Sequence, residues 1–181
     1  MRKLLILGAG GYGKTIADVA RQLNCYGEIA FLDDNSKAPD VLGKCAEVFS
    51  LADKLTDVYP AFGNNEVRMN WMDRLLEAGI RVPTLVHPRA YVSPAAKLGI
   101  GVTVLPMAVV NTGVTVERGC IINIGALIDH DSIIGEGTHL APGAIVKAEN
   151  RIPGMTKIDS GTVIENREYP LQRSNYDGNE A

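Results

Sequence analysis

The chain has 181 residues, with 18 Lys and Arg against 21 Asp and Glu, so its formal net charge is −3. This balance excludes a nucleic-acid binder that relies on a strongly basic surface, and an apolar content of 46% excludes a disordered chain. No apolar run approaches the roughly 20 residues that span a bilayer, so we expect no membrane association.

The first apolar run, residues 4–7, predicts a buried strand, because it is shorter than the roughly 7–15 residues of a signal-peptide core. The three cysteines, Cys25, Cys45 and Cys120, are odd in number and lack C-x-x-C spacing. This pattern is typical of reduced thiols and predicts a cytoplasmic protein.

Residues 1–83 alternate between strand and helix patterns. We expect strands at residues 3–7, 28–32 and 58–62, and helices at residues 14–23 and from about 65 to 78. This order predicts a small parallel α/β domain that is Rossmann-like but too short for a complete dinucleotide fold.

A glycine-rich turn joins the first strand to the first helix and reads Gly8-Ala9-Gly10-Gly11-Tyr12-Gly13. Glycines at such a turn let backbone N–H groups and the helix N-terminus approach a phosphate closely. The motif alone is a weak signal, and a dinucleotide-dependent oxidoreductase would need a longer sheet.

Polar residues follow the next two strands at the carboxyl edge of the predicted sheet, where ligands bind in open α/β sheets. Asp33 and Asp34 end the second strand, and Gly63 and Asn64 end the third. We expect a ligand at this edge, although the aspartates also suit a helix cap or a turn. Arg68 suits either a phosphate contact or a surface ion pair.

From about residue 84 an aliphatic side chain recurs at every sixth position without a slip. The fourteen residues are Val86, Val92, Leu98, Val104, Val110, Val116, Ile122, Ile128, Ile134, Leu140, Val146, Ile152, Ile158 and Ile164. Such a period indicates a hexapeptide β-helix in which three hexads complete one coil of about 18 residues. The aliphatic residue points inward, and glycines occupy many of the turns.

The sequence thus predicts three segments: an α/β domain at residues 1–83, a β-helix at 84–166, and a C-terminal tail at 167–181. Asn150 replaces a small turn residue, and Pro153 follows an inward Ile152, so the turn chemistry weakens toward the end.

The combination of motifs resembles the hexapeptide-repeat sugar acetyltransferases of bacterial glycan biosynthesis, which have a left-handed parallel β-helix. The residues that carry the resemblance are Gly8 to Gly13, Asp33 and Asp34, Phe62 to Asn65 with Arg68, and Asn123, His130 and His139. The resemblance implies acetyl-CoA as co-substrate and a homotrimer with active sites between adjacent β-helices.

The same resemblance implies that the Gly10–Gly13 loop holds a nucleotide diphosphate, that Asp33 and Asp34 bind its uracil or ribose, and that Gly63 and Asn64 face this ligand. Members that use UDP-sugars often carry His where this chain has Tyr12. A tyrosine hydroxyl still donates a hydrogen bond, but it brings no positive charge.

His130 is the predicted general base, because it lies in a turn two residues after inward Ile128 and so projects outward. A neutral imidazole suits the removal of a proton from an attacking amine or hydroxyl. Asp131 is the predicted residue that orients the ring, ahead of Asp129. His87, at the start of the β-helix, is predicted to be structural.

The resemblance also places His139 at the acetyl-CoA thioester, and Ser160 and Gly161 at a turn that contacts CoA. The Asn123 amide suits the substrate sugar, and backbone amides near Gly143 suit the thioester oxyanion. His130 and His139 have no evident third metal ligand at suitable spacing, so we predict no metal.

The leading hypothesis is therefore acetyl-CoA-dependent N-acetylation of a UDP-linked amino-sugar. O-acetylation of a sugar, as in the sialic-acid O-acetyltransferases, is the alternative within enzymes. A β-helix protein that binds a nucleotide sugar without acetylating it is the alternative outside them. Family members usually continue for a further coil, whereas here the hexads stop at Ile164.

Overall fold

The computed structural model describes residues 1–36 and 38–171. The first unit is a parallel four-stranded sheet in the order β3-β2-β1-β4, with helices on both faces. Its elements are β1 (Arg2–Leu7), α1 (Gly11–Leu23), β2 (Tyr26–Leu32), β3 (Val41–Gly43), a 3₁₀ helix (Cys45–Glu47), α2 (Val48–Leu51), β4 (Thr56–Pro60) and α3 (Asn65–Glu77). The predicted strands and helices are confirmed, whereas β3 and the two short helices had no periodic signal.

Two apolar cores flank this sheet. Ile16 and Val19 of α1 pack with Leu4 and Ile6 on one face, and Met72 and other residues of α3 pack on the opposite face. Strands buried on both faces explain the continuous apolar run in β1.

The second unit is a left-handed β-helix of fourteen two-residue strands. They are β5 (Leu85–Val86), β6 (Tyr91–Val92), β7 (Lys97–Leu98), β8 (Thr103–Val104), β9 (Val109–Val110), β10 (Thr115–Val116), β11 (Ile121–Ile122), β12 (Leu127–Ile128), β13 (Ile133–Ile134), β14 (His139–Leu140), β15 (Ile145–Val146), β16 (Arg151–Ile152), β17 (Lys157–Ile158) and β18 (Val163–Ile164). The second residue of every strand is the aliphatic residue that the hexad register predicted, and these residues form the interior. The predicted fold class is confirmed.

The strands stack into three parallel sheets. Face 1 holds β5, β8, β11, β14 and β17; face 2 holds β6, β9, β12, β15 and β18; face 3 holds β7, β10, β13 and β16. The chain turns at three corners, which we call corner 1–2, corner 2–3 and corner 3–1 after the faces they join.

Every hexad from residue 101 onward has one corner residue in the left-handed region, with φ between +56° and +70°. Seven of these residues are glycine, and the other five are Met107, Asp131, Glu149, Met155 and Arg167. Because this region is costly for residues with a Cβ, a non-glycine residue at one of these corners needs a structural or functional reason.

The α/β unit packs against corner 3–1. A Cβ on Gly119 would lie 2.3 Å from the Met69 sulfur, and one on Gly137 would lie 2.8 Å from Met69 Cγ. Glycine at this corner therefore lets α3 approach the β-helix. Across the same interface, Arg118 forms an ion pair with Asp73 at 2.5 Å.

The predicted tail begins at Arg167, and its first residues lie against the final coil. Arg167 pairs with Glu149, and the Arg151 amide donates to the Tyr169 carbonyl at 2.7 Å. Residues 172–181 of the predicted tail lie outside the described residues. The boundaries at 83/84 and 166/167 stay predictions. Within the described residues, no helix is long and apolar enough to cross a membrane.

Candidate functional site

The glycines of the glycine-rich turn serve two purposes: some allow close packing of α1 on β1, and others leave space for a ligand. A Cβ on Gly13 would lie 1.9 Å from the Gly8 carbonyl oxygen, so glycine is required for α1 to start this close to β1. A Cβ on Gly10 or Gly11 would meet no atom within 4 Å. No side chain caps α1, and its first turn has no acidic residue. The exposed helix N-terminus therefore suits an anion.

The carboxylate of Asp33 holds two loops together. Oδ2 accepts from the Ala9 amide at 2.7 Å, and Oδ1 accepts from the amides of Asn35 and Ser36 at 2.8 Å each. These bonds lower the pKa of Asp33. Asp33 thus forms the turn that the sequence left open as its alternative role. Its predicted ligand contact stays a prediction.

Three more predicted residues lie exposed at the same carboxyl edge of the sheet: Asp34, Gly63 and Asn64. Asp34 Oδ1 accepts from the Cys45 amide at 3.0 Å. Asn64 caps α3, because its Oδ1 accepts from the Val67 amide at 3.0 Å. Asp34, Gly63 and Asn64 therefore lie on one surface, at the edge of the sheet that also carries the Gly10–Gly11 turn.

Tyr12 requires a correction. Its hydroxyl lies 3.0 Å from the Tyr59 hydroxyl, which in turn contacts the Thr103 hydroxyl and donates to the Gly101 carbonyl at 3.3 Å. Burial raises the pKa of Tyr12 well above its ordinary value. The hydroxyl therefore lies in the interface between the two units, where it is not available to donate to a substrate.

Arg68 also requires a correction, because its guanidinium is buried and donates to protein groups, which leaves it available neither for a surface ion pair nor for a phosphate. The side chain is 1% exposed. Nε donates to the Gly119 carbonyl at 2.9 Å and Nη2 to the Gly137 carbonyl at 2.7 Å. The same guanidinium donates to the Phe62 carbonyl and the Asn65 side chain at 2.9 Å each, so Arg68 joins α3 to corner 3–1.

His130 lies at corner 2–3, and its side chain is 44% exposed. Its Nδ1 lies 2.9 Å from Asp131 Oδ2. The hydrogen bond with Asp131 raises the pKa of His130, and the charges of Asp129, Asp131 and Glu149 act in the same direction. Since a carboxylate only accepts, Nδ1 carries the proton, and Nε2 is left to take one from a substrate.

Asp129 has a different task from Asp131. Its Oδ1 accepts from the His130 backbone amide at 2.7 Å and from Asn111 Nδ2 at 3.0 Å. Asp129 therefore holds the backbone of the turn, whereas Asp131 contacts the imidazole.

Asn123 and His139 form a second pair, on face 1. Asn123 Nδ2 lies 3.0 Å from His139 Nε2, and Asn123 Oδ1 accepts from the Ile124 amide at 2.8 Å. Burial, together with the charges of Arg68 and Lys157, lowers the pKa of His139 to about 4. His139 is therefore neutral at pH 7. The predicted sugar and thioester contacts stay predictions.

The remaining predicted cofactor residues lie at corner 1–2. Ser160 and Gly161 are exposed there, and a Cβ on Gly161 would meet no atom within 4 Å. The expectation for Gly143 is corrected in part, because its own amide donates to the Ile124 carbonyl at 2.9 Å. That amide is not available to stabilise an oxyanion.

Within one chain, face 2 separates His130 at corner 2–3 from the group at corner 1–2. The predicted site residues therefore do not meet in a single copy. Among residues 1–36 and 38–171, no group of three or more His, Cys, Asp or Glu side chains is arranged to hold a metal ion.

Sequence reasoning missed two residues beside His130. Glu149 and Arg167, with Ala148 and Asn166, line a cavity of about 350 Å³ next to the imidazole. The signal was present, because Asp131, Glu149 and Arg167 follow one another at intervals of 18 residues, one coil each.

The comparisons with known proteins cover both units of this chain. Residues 3–75 match the PglD N-terminal domain family. The acetyltransferase domain of PglB from Neisseria gonorrhoeae is 35% identical over 92% of this chain and 84% of that one, with a TM-score of 0.89. The chain belongs to the hexapeptide-repeat sugar acetyltransferases. That domain has also been solved in complex with acetyl coenzyme A.

Two further acetyltransferases of this kind are more distant. UDP-N-acetylbacillosamine N-acetyltransferase of Bacillus subtilis is 32% identical over 112 residues, which are 58% of this chain and 52% of that protein. The match thus spans about half the length of this curated relative. Perosamine N-acetyltransferase from Caulobacter crescentus is 24% identical, with a TM-score of 0.83 over 92% of this chain and 90% of that one, and shows the shared fold.

Proposed function

We propose that this protein transfers the acetyl group of acetyl-CoA to the amine of a nucleotide-linked amino-sugar, most simply a UDP-sugar. The observation that carries the proposal is the similarity to the PglB acetyltransferase domain across both the α/β unit and the β-helix. The name of the Bacillus subtilis relative, UDP-N-acetylbacillosamine N-acetyltransferase, supports an amine as acceptor and UDP as the nucleotide.

In the proposed reaction, His130 acts as general base. Asp131 holds Nδ1 and fixes the tautomer, so Nε2 takes the proton from the sugar amine as its nitrogen attacks the acetyl carbonyl carbon. The carbon–sulfur bond then breaks, and the CoA thiolate leaves and takes the proton from the His130 imidazolium. The carboxylate of Asp131 stabilises the imidazolium that forms in between.

The α/β unit is proposed to bind the nucleotide part of the acceptor. The open surface over Gly10 and Gly11 admits a diphosphate to the N-terminus of α1, and Asp34 is exposed at the same edge. Because the Tyr12 hydroxyl lies in the interface between the units, the loop offers backbone amides in place of a charged side chain.

A homotrimer is proposed because of the outer surface of face 2. Its outward residues are all apolar or aromatic: Tyr91, Val109, Leu127, Ile145 and Val163. Leu127 and Val163 are 38% and 41% exposed in the single chain. A threefold arrangement covering this face would bring corner 2–3 of one copy toward corner 1–2 of the next. The active site would then combine His130 with the acetyl-CoA residues of a neighbour.

A cytoplasmic location remains part of the proposal. It rests on the three free cysteines, two of them buried. The net charge of −3 supports small-molecule substrates over nucleic acid as partners.

The direct test incubates the purified protein with acetyl-CoA and a panel of UDP-amino-sugars while free thiol is measured. We expect turnover that falls by at least about 100-fold in His130→Ala, with circular dichroism and molar mass unchanged because the side chain is exposed. Turnover equal to wild type in His130→Ala would overturn the mechanism. Thiol release with sialic acid alone would favour O-acetylation, and binding of the nucleotide sugar without thiol release would favour the non-catalytic alternative.

A further inference from the structure

Corner 2–3 carries a column of four residues spaced 18 apart: Gly113, Asp131, Glu149 and Arg167. All four have left-handed backbone conformations, with φ of +70°, +56°, +60° and +57° in that order. Three of the four bear side chains, so the turn itself does not demand glycine at position 113. Another reason is needed for the one residue in this column without a side chain.

The carboxylate of Asp131 supplies that reason. A Cβ on Gly113 would lie 2.3 Å from Asp131 Oδ1 and 3.3 Å from its Cγ. The nearest backbone atom, the Asp131 nitrogen, would be 3.5 Å away, which is an ordinary contact. The collision is therefore confined to the end of one side chain, the same carboxylate whose Oδ2 lies 2.9 Å from His130 Nδ1.

We propose that Gly113 is a positioning residue for the general base: the space above its Cα holds the Asp131 carboxylate in the place from which it orients His130. Any larger residue at position 113 would push that carboxylate away from the imidazole while the coil stays folded. The effect on turnover rests on the proposed function, whereas the effect on the His130–Asp131 pair does not.

The charged groups around His130 determine how its pKa would respond to a displacement of Asp131. Asp129 and Asp131 belong to its own turn, Glu149 lies on the next coil, and Arg167 pairs with Glu149. A displaced Asp131 removes the hydrogen bond but leaves the other three groups in place. The pKa of His130 should then fall toward its value in an Asp131→Asn variant.

The test titrates the three histidines by NMR in the free protein and measures kcat over the same pH range. Gly113→Ala should give a His130 pKa between those of wild type and Asp131→Asn, with kcat lower by about tenfold. Gly79→Ala is the matched control, because Gly79 has φ of +71° and a Cβ there would meet no atom within 4 Å. It bears the same backbone cost, far from corner 2–3, and should leave the His130 pKa and kcat unchanged.

A His130 pKa in Gly113→Ala equal to that of wild type would overturn the proposal, whatever the activity. If the wild type proves inactive with every nucleotide sugar, the NMR result still decides the proposal, and only the proposed function fails. Should Gly113→Ala not fold, the double variant Gly113→Ala with Asp131→Ala should fold, because the colliding carboxylate is gone. A double variant that also fails to fold would refute the proposal.

Discussion

The side-chain amide of Asn123 donates a hydrogen bond to Nε2 of His139 over 3.0 Å. The direction of this bond is set by the other end of the same amide, since Asn123 Oδ1 accepts from the Ile124 backbone amide. Nδ2 must therefore face the imidazole, and an amide nitrogen only donates. It follows that Nε2 is the acceptor and that the neutral ring carries its proton on the buried Nδ1.

This pair predicts a pH-dependent stability. The pKa of His139 is about 4 in the folded state, below the ordinary value of 6.5, so the unfolded chain binds more protons between these two values. His139 therefore contributes stability above about pH 6.5 that is lost as the pH falls toward 4. We expect His139→Gln to lose less stability than wild type between pH 7.5 and pH 5 in urea unfolding.

His130→Gln is the control, because His130 contributes a pH dependence of stability with the opposite sign. Because the folded-state pKa of His130 is raised, its contribution is full at low pH and is lost as the pH rises through that pKa. If His139→Gln and wild type lose equal stability on acidification, the neutral buried state of His139 is wrong.

The buried guanidinium of Arg68 predicts a large loss of stability on substitution. Arg68→Met would leave the carbonyls of Gly119 and Gly137 without their donor in the interface between the two units. We expect a loss of about 3 kcal/mol in the free energy of unfolding. The single tryptophan, Trp71, lies on the same helix, so its fluorescence reports unfolding of the α/β unit.

Arg74→Met is the matched control for Arg68→Met. Arg74 is exposed on α3, with its guanidinium 4.2 Å from the Trp71 ring, so its removal should cost at most about 1 kcal/mol. Calorimetry avoids the change in Trp71 fluorescence that this control causes. Equal losses in the two variants would mean that the interface does not depend on Arg68.

The interior of the β-helix could be predicted residue by residue from the sequence. Each hexad must place one side chain in a narrow interior, so the sixfold period alone identifies inward residues such as Ile128 and Ile134. The exposed position of His130 followed from the same register. Local periodicity determines these features, and no contact between distant segments is needed to infer them.

Side chains that take part in the interface between the two units could not be predicted in this way. Arg68 and Tyr12 both looked like ligand contacts, because each follows or lies within a ligand-binding turn in the sequence. Gly119 becomes a neighbour of Arg68 only when α3 docks against the coil. Tyr12 is linked to the coil through Tyr59 of its own unit, whose hydroxyl contacts Thr103. The spacing of residues along the chain carries no information on that docking.

The two roles of the glycine-rich turn can be separated by Gly11→Ala and Gly13→Ala. A methyl group at position 13 would overlap the Gly8 carbonyl, which is backbone and does not move aside. We expect Gly13→Ala to lose about 3 kcal/mol or more in stability. Gly11→Ala meets no atom and should keep its melting temperature, but its methyl group would occupy the space over the N-terminus of α1.

Titration of UDP into these variants by calorimetry completes the comparison. Gly11→Ala should bind UDP at least about tenfold more weakly than wild type, since close approach of the diphosphate to the backbone is lost. Binding of UDP to Gly11→Ala with the affinity of wild type would remove the turn from the proposed nucleotide site.

The last coil is closed by a buried polar residue. Asn150, fully buried where most hexads have a small residue, donates from Nδ2 to the carbonyls of Lys147 at 2.9 Å and Glu165 at 2.8 Å. Its Oδ1 accepts from the Tyr169 amide at 2.8 Å. The turn residues here depart from the hexad pattern, and the side-chain amide of Asn150 compensates for this. It bonds to Lys147 in the turn before it and to Glu165 and Tyr169 after the final strand.

Substitution of Asn150 should therefore release the segment that follows the final strand. We expect Asn150→Ser to lose about 2 kcal/mol in stability and to speed hydrogen exchange at the Tyr169 amide. Serine is the informative replacement because Ser132 holds the same position one coil earlier, so it fits the turn but is too short to reach Glu165 and Tyr169. Asn166→Ser, at an exposed neighbouring position, should leave both quantities unchanged. Unaltered exchange at Tyr169 in Asn150→Ser would show that Asn150 does not hold the chain end in place.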